Sequence, residues 1–127
     1  MNQGLAKAYT AGGAITPCRF IKFGSDDLTI LQASAATDLV IGVSDYDREG
    51  TSASTGDTVD GILSGIVAVK YGGTITRGQL VMSDASGQAI SATATAGSNV
   101  RTAGIAMVSG VSGDIGRVLL IPGSFQG

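Results

Sequence analysis

The sequence predicts a mainly β protein: a small single-domain β-barrel or β-tulip-like fold with an extended N-terminal arm and little helix. Its apolar runs are short, are built from Val, Ile, Leu and Ala, and are separated by turn clusters that contain glycine. The 127 residues are long enough for one hydrophobic core. With 20 glycines to order and no Trp, a lone monomer would be weakly stabilised, which favours an oligomer.

Residues 1–14 are predicted to form the arm, and residues 15–127 the single β domain. The arm is rich in Gly, Ala and small polar residues and shows neither the period of a strand nor that of a helix. Within it, Lys7 and Tyr9 alternate with small or apolar residues, a pattern that suits pairing with the sheet edge of a partner. A disordered terminus is the alternative.

Residues 20–23 and 28–32 are predicted to be the first two strands, and residues 39–43 a buried third strand. Residues 33–38 between them could be a loop or one helical turn. Residues 45–55 form the most polar segment and are expected to be an exposed loop.

The central stretch, residues 56–90, holds the longest apolar run, which predicts a strand at 62–71. Both of its faces are apolar: one carries Leu63, Val67, Val69 and Tyr71, and the other Ile62, Ile66 and Ala68. Such a strand is buried on both sides, either inside its own domain or under a neighbouring subunit. Residues 80–82 and 88–90 then predict the two arms of a hairpin.

The last part of the chain predicts a polar loop at 91–99, a strand at 100–108 and a closing strand at 115–121, after which Pro122 should prevent further pairing. Residues 41–44 followed by 56–59 are echoed by 104–107 followed by 113–115: each pair joins a glycine-containing apolar strand to a Gly-Asp turn. This echo indicates a repeated strand-loop-strand unit within one barrel.

The composition excludes several classes of function. The chain has no histidine and only one glutamate, Glu49, which argues against the common hydrolase and zinc sites, and we expect no enzyme activity, metal or cofactor. Its formal charge of −2 offers no basic stripe for nucleic acid. Residues 45–50 mimic the opening of a calcium loop, but Gly56 stands where a glutamate ligand is required. Cys18, the only cysteine, is expected to be a buried hydrophobic residue.

We also expect no contact with a membrane. Residues 1–13 lack the basic start and apolar block of a signal peptide, and no apolar run approaches the ~18 residues that span a bilayer. The protein is therefore expected to stay in the compartment where it is made.

Four segments occur in a telling order: VIGVSD at 40–45, GDTVDGILSGIVAVKYGGTITRGQLVMSDASGQAI at 56–90, TAGIAMVSG at 102–110 and GDIGRVLLIPG at 113–123. Together they resemble the capsid cement or head decoration proteins of tailed bacteriophages. The resemblance implies a structural protein of the virion, assembled in the host cytoplasm, that sits as a homotrimer on the outer surface of an icosahedral head. There it would clamp adjacent subunits of the major capsid protein.

The terminal arms of that family commonly contact the shell. By position, the resemblance therefore implies a capsid-contacting segment at residues 1–15, with four capsid-binding residues: Leu5, Lys7, Tyr9 and Ile15. The trimer interface is expected on the two-faced strand, at Ile62, Ile66 and Tyr71. The alternative function is a β-sandwich binding module for glycans or host-cell surfaces. Sugar-binding surfaces generally need exposed aromatic side chains, however, and this chain has only three scattered tyrosines and no Trp.

Overall fold

The computed structural model describes residues 5–44, 52–92 and 99–126, and within them the chain forms β-strands and no helix. The predicted mainly β single-domain fold is confirmed. The strands are β1 (Ala6–Ala11), β2 (Phe20–Phe23), β3 (Thr29–Gln32), β4 (Gly42–Ser44), β5 (Thr58–Ile62), β6 (Ile66–Lys70), β7 (Leu80–Ser83), β8 (Ala89–Ser91), β9 (Asn99–Ala106) and β10 (Ile115–Gln126). The predicted loops at 45–55 and 91–99, including the calcium-like segment 45–50, lie largely outside the described residues.

Strands β1 to β5 close into a barrel, which we call the first lobe. The order around it is β1-β3-β2-β4-β5, and β1 closes it by pairing parallel with β3 and antiparallel with β5. Residues 6–11 thus form part of the barrel wall, where the sequence suggested an unpacked arm. The physical reason is that β1 provides the hydrogen bonds that two other strands would otherwise lack.

Strands β6 to β10 form the second lobe, a sheet in the order β6-β10-β9-β7-β8. Its two edge strands come together at a parallel bridge between Tyr71 and Ala89. The second lobe therefore repeats the first. Strands β6, β7, β8, β9 and β10 occupy the positions that β1, β2, β3, β4 and β5 occupy in the first lobe. In both lobes the first strand is parallel to the third and antiparallel to the fifth.

Hydrogen bonds outside the strands repeat in the same way. An isolated bridge joins Ile15 to Ala53 in the first lobe, and the bridge between Ile75 and Gly110 is its counterpart in the second. The echo in the sequence is thus a repeat between two lobes, and its two halves do not share one barrel.

Each of these bridging residues begins a tight turn that leads into a strand. The turns place Cys18, Gly56, Gly78 and Gly113 at φ values of 61°, 92°, 90° and 95°. Three of the four are glycine, as the left-handed region favours. Cys18 is buried, as expected, and is the only described non-glycine residue with positive φ.

Two predicted boundaries differ from the structure. The strand expected at 62–71 is broken after Ile62, because Gly65 at φ 92° turns the chain from the first lobe into the second. Strand β10 continues beyond Pro122: its register with β9 shifts between Leu120 and Gly123, so a bulge absorbs the proline and pairing resumes.

The buried side chains form two clusters, and the larger one contains residues from both lobes. The first lobe encloses a cluster of Tyr9, Ala11, Ile15, Ile21 and Ile30. A larger cluster fills the second lobe and also takes in Phe20, Val43 and Ile62 from the first. In each lobe a tyrosine ring lies against a glycine. A Cβ on Gly61 would lie 3.3 Å from the Tyr9 ring, and a Cβ on Gly116 would overlap the Tyr71 ring.

Candidate assembly surfaces

Leu5 and Lys7, two of the predicted capsid-binding residues, lie exposed at the start of the barrel wall. Leu5 is 63% exposed, and its backbone is held to the segment between the lobes: its amide donates to Ser64 Oγ at 2.8 Å, and its carbonyl oxygen accepts from the Leu63 amide at 2.7 Å. Lys7 Nζ lies 5.4 Å from the centre of the Tyr9 ring, within range of a cation–π contact. Both side chains can reach a partner from a fixed backbone.

Tyr9 and Ile15 do not share that surface. Both are buried in the first-lobe core, where the Tyr9 ring also meets Phe23 edge-on at 6.1 Å between ring centres. Ile15 pairs with Ala53 through two backbone hydrogen bonds of 2.8 and 3.0 Å. Of the four predicted residues, the structure therefore brings Leu5 and Lys7 to the surface and uses Tyr9 and Ile15 to support it.

The predicted trimer residues are divided in the same way. Ile62 and Tyr71 are buried inside the chain, and the Tyr71 hydroxyl donates to the Val108 carbonyl oxygen at 2.7 Å. Burial raises the pKa of Tyr71 and keeps the phenol neutral. In this conformation neither side chain offers surface to a second subunit, whereas Ile66 is half-buried on the outer face of the second lobe.

Ile66 belongs to a row of aliphatic side chains that sequence reasoning missed. Directly paired positions run across four strands, from Ile66 to Leu119, from Leu119 to Ile105 and from Ile105 to Leu80. Each is partly or largely exposed, whereas their chain neighbours Val67, Val118, Ala106 and Val81 are buried. We call these four the second-lobe row. The signal in the sequence was the apolar character of both faces of β6.

A second exposed apolar site lies on the hairpin of the first lobe, formed by β2, the turn at 24–28 and β3. Phe23 is 50% exposed and Leu28 58% exposed. Two acidic residues, Asp26 and Asp27, stand between them in the turn. Both side chains are therefore accessible to a partner at this hairpin.

One ion pair stabilises a neighbouring loop. Lys22 Nζ lies 3.0 Å from Asp38 Oδ2, which also accepts from the amides of Ser34 at 2.8 Å and Ala35 at 3.0 Å. Burial opposes ionisation of Asp38, but these hydrogen bonds and the lysine charge outweigh it and lower its pKa. This cluster is structural, since it ties the 33–38 loop to β2.

The described residues hold no group of His, Cys, Asp and Glu that could bind a metal ion. They also include no helix that could cross a membrane.

Comparison with known proteins identifies a family for the chain. The sequence pattern of the phage cement protein family matches residues 1–120. In structure, the chain is similar to the head fiber gp8.5 N base of bacteriophage phi29, with a TM-score of 0.70 and 16% identity, over 92% of this chain and 93% of that one. At 16% identity, this structural similarity shows that the two proteins share a fold and nothing more. No curated protein sequence matches the chain.

Proposed function

Because the chain belongs to the phage cement protein family, we propose that it binds the outer surface of an icosahedral phage head as a homotrimer and stabilises the contacts between major capsid subunits. Family membership across residues 1–120 is the observation that carries the proposal. The role is structural and needs no catalytic step.

The capsid contact is assigned to the start of β1. Leu5 offers an exposed apolar side chain and Lys7 a positive charge. The backbone of Leu5 is hydrogen-bonded to the segment between the lobes, and Lys7 is paired with Gly61 of β5. A contact built on a rigid strand loses little conformational entropy on binding, which supports affinity from a small area. Tyr9 and Ile15 contribute by holding this strand in place from the core.

Several copies joined into one particle would bind more tightly than one chain. When one copy is docked, the others are held at high effective concentration over their own sites. Weak contacts at each Leu5 and Lys7 are therefore enough for stable attachment, provided that the chains remain associated.

The test is co-sedimentation of the purified chain with heads that lack it. The double variant Leu5→Asp, Lys7→Glu should bind at least about tenfold more weakly, a change of about 1.4 kcal/mol per site. The matched control makes the same chemical changes on the second lobe, as Val111→Asp and Arg77→Glu, at two exposed positions.

Equal loss in both double variants would show that the contact does not lie at β1. A wild-type chain that ignores heads but is retained by immobilised polysaccharide would favour the alternative of a glycan-binding module.

A further inference from the structure

The two lobes carry equivalent rows of side chains, each on the face of its sheet that points away from the interior of that lobe. In the first lobe, Phe20 pairs with Val43, and Val43 with Ile62. By the lobe repeat, these three positions correspond to Leu80, Ile105 and Leu119 of the second-lobe row. We call Phe20, Val43 and Ile62 the first-lobe row.

The first-lobe row is covered by the second lobe of the same chain. All three side chains are buried in the cluster that fills the second lobe, and none of them belongs to the cluster inside the first lobe. The hairpin of β7 and β8 reaches them through its turn at 84–88: the Phe20 amide donates to the Gly87 carbonyl oxygen, and Gln32 Nε2 to that of Ser86, both at 2.8 Å.

The fit of this turn is close. A Cβ on Gly87 would lie 2.9 Å from Gln32 Cγ and 3.2 Å from the Ala33 carbonyl oxygen. One hairpin turn of the second lobe is thus packed directly against the first lobe beside its apolar row.

The second-lobe row lacks such a cover. Leu80 is 44% exposed, and the other three side chains are half-buried. At the same time, the first-lobe hairpin, which corresponds to the covering hairpin of the second lobe, exposes Phe23 and Leu28. The chain therefore presents both halves of a contact that it makes once internally.

The two exposed apolar sites also carry opposite charges. On the face of the second-lobe row, Arg117 lies two residues before Leu119 on β10 and pairs with Ala68. The first-lobe turn carries Asp26 and Asp27, both exposed. Hydrogen bonds from the Thr29 side chain and the Leu28 amide lower the pKa of Asp26 and keep it ionised.

From these observations we propose that copies of this chain associate head to tail, with the first-lobe hairpin of one copy packed on the second-lobe row of the next. The contact repeats between chains the packing of one lobe on the other within a chain. Such an interface is heterologous, so its two sides differ, and with the threefold symmetry of the proposed trimer successive copies close into a ring. The number of copies in the ring rests on the proposed trimer. In a trimer, this head-to-tail contact would place six lobes around one axis.

The lobe repeat indicates that the partner covering the second-lobe row is a second copy of this chain. A second copy brings a hairpin equivalent to the one that already covers the first-lobe row, together with aspartates that match Arg117. Because both sites belong to every chain, each association leaves one of each kind free until the ring closes.

The experiment uses two full-length variants and the solution mass by light scattering at about 100 μM, where contacts of micromolar strength are occupied. Leu80→Asp disables only the row, and Leu28→Asp only the hairpin. Both residues are largely exposed, so each variant should keep the wild-type circular dichroism and melting profile. Wild type should form the closed oligomer, and each variant alone should be monomeric.

A mixture of the two variants decides the geometry. The Leu80→Asp chain keeps an intact hairpin and the Leu28→Asp chain an intact row, so an equimolar mixture should yield a one-to-one dimer and nothing larger. A self-complementary interface would instead give wild type the mass of a dimer, because both contacts would then be made between the same two chains. The proposal is overturned if the mixture stays monomeric, if either variant assembles like wild type, or if wild type is monomeric.

These outcomes are separate from capsid binding. A chain that binds heads but fails the mixing test refutes the head-to-tail contact and leaves the proposed function standing. A chain that passes the mixing test but ignores heads does the reverse.

Discussion

Replacing Gly116 by alanine should destabilise the chain far more than a glycine-to-alanine change in a strand normally does. A Cβ at this position would overlap the Tyr71 ring, where it would meet Cζ, Cε1 and the hydroxyl oxygen. Tyr71 is fully buried and its hydroxyl is hydrogen-bonded, so the ring has no free space to enter. Overpacking of a well-packed core costs 1–3 kcal/mol, and this overlap belongs at the upper end, at about 3 kcal/mol.

The assay is urea unfolding, supported by thermal melting, in which about 3 kcal/mol corresponds to a fall of roughly 10 °C for a domain of this size. The matched control is Gly73→Ala, whose Cβ would meet only Ile90 Cγ2 at 3.8 Å, an ordinary contact. That control should be neutral or slightly stabilising, since alanine restricts the unfolded chain.

A double variant isolates the cause. Tyr71→Leu alone removes most of the ring and should cost about 2–3 kcal/mol. In the presence of Tyr71→Leu, the added Gly116→Ala should cost less than about 0.5 kcal/mol, because the atoms it would overlap are gone. If the two losses simply add, the overlap with the ring is not the reason for the glycine, and the reasoning fails.

Other substitutions test single features of the fold. Gly78→Ala should cost about 1–2 kcal/mol through backbone strain alone, because φ is 90° and nothing lies within 4 Å of the added Cβ; an unchanged urea midpoint would contradict this. Tyr71→Phe should cost about 1 kcal/mol in the same assay, as the bond to the Val108 carbonyl oxygen is lost, and a cost as large as that of Tyr71→Leu would show that the hydroxyl dominates. The pKa of Asp38 is lowered on folding, so its contribution is present above the unfolded value of about 3.9 and is lost as pH falls through the folded value. Asp38→Asn should therefore be about 1 kcal/mol less stable near pH 7 and should converge with wild type in acid, whereas a gap independent of pH would exclude the charge as its source.

Local sequence patterns predicted most strands because a strand depends first on its own apolar residues and turns. The hairpin at 80–82 and 88–90 appears as β7 and β8 with nearly the same bounds. The Gly-Asp turns before β5 and β10 were visible for the same reason, since left-handed backbone at Gly56 and Gly113 leaves a direct trace in residue type. Cys18 hid the equivalent turn, because cysteine gives no such signal.

Features that depend on pairing partners were harder to predict. The composition of residues 6–11 does not indicate that this segment pairs with β3 and β5, which lie further along the chain. The same holds for Pro122, whose missing amide ends a regular ladder but can be absorbed by a bulge where the opposite strand continues. The candidate capsid residues show the consequence: Leu5 and Lys7 stayed accessible, while Tyr9 and Ile15 entered the core.

The sequence by itself determined that this chain is a β protein with its apolar side chains on short strands, and that β6 is apolar on both faces. Only the tertiary structure decided which face each lobe encloses: Val67 and Val69 turn inward, and Ile66 turns outward. The reason is that alternation along a strand separates two faces without assigning either to the interior. That assignment depends on which other strands close around it, and here the chain covers the outer row of one lobe and leaves that of the other accessible.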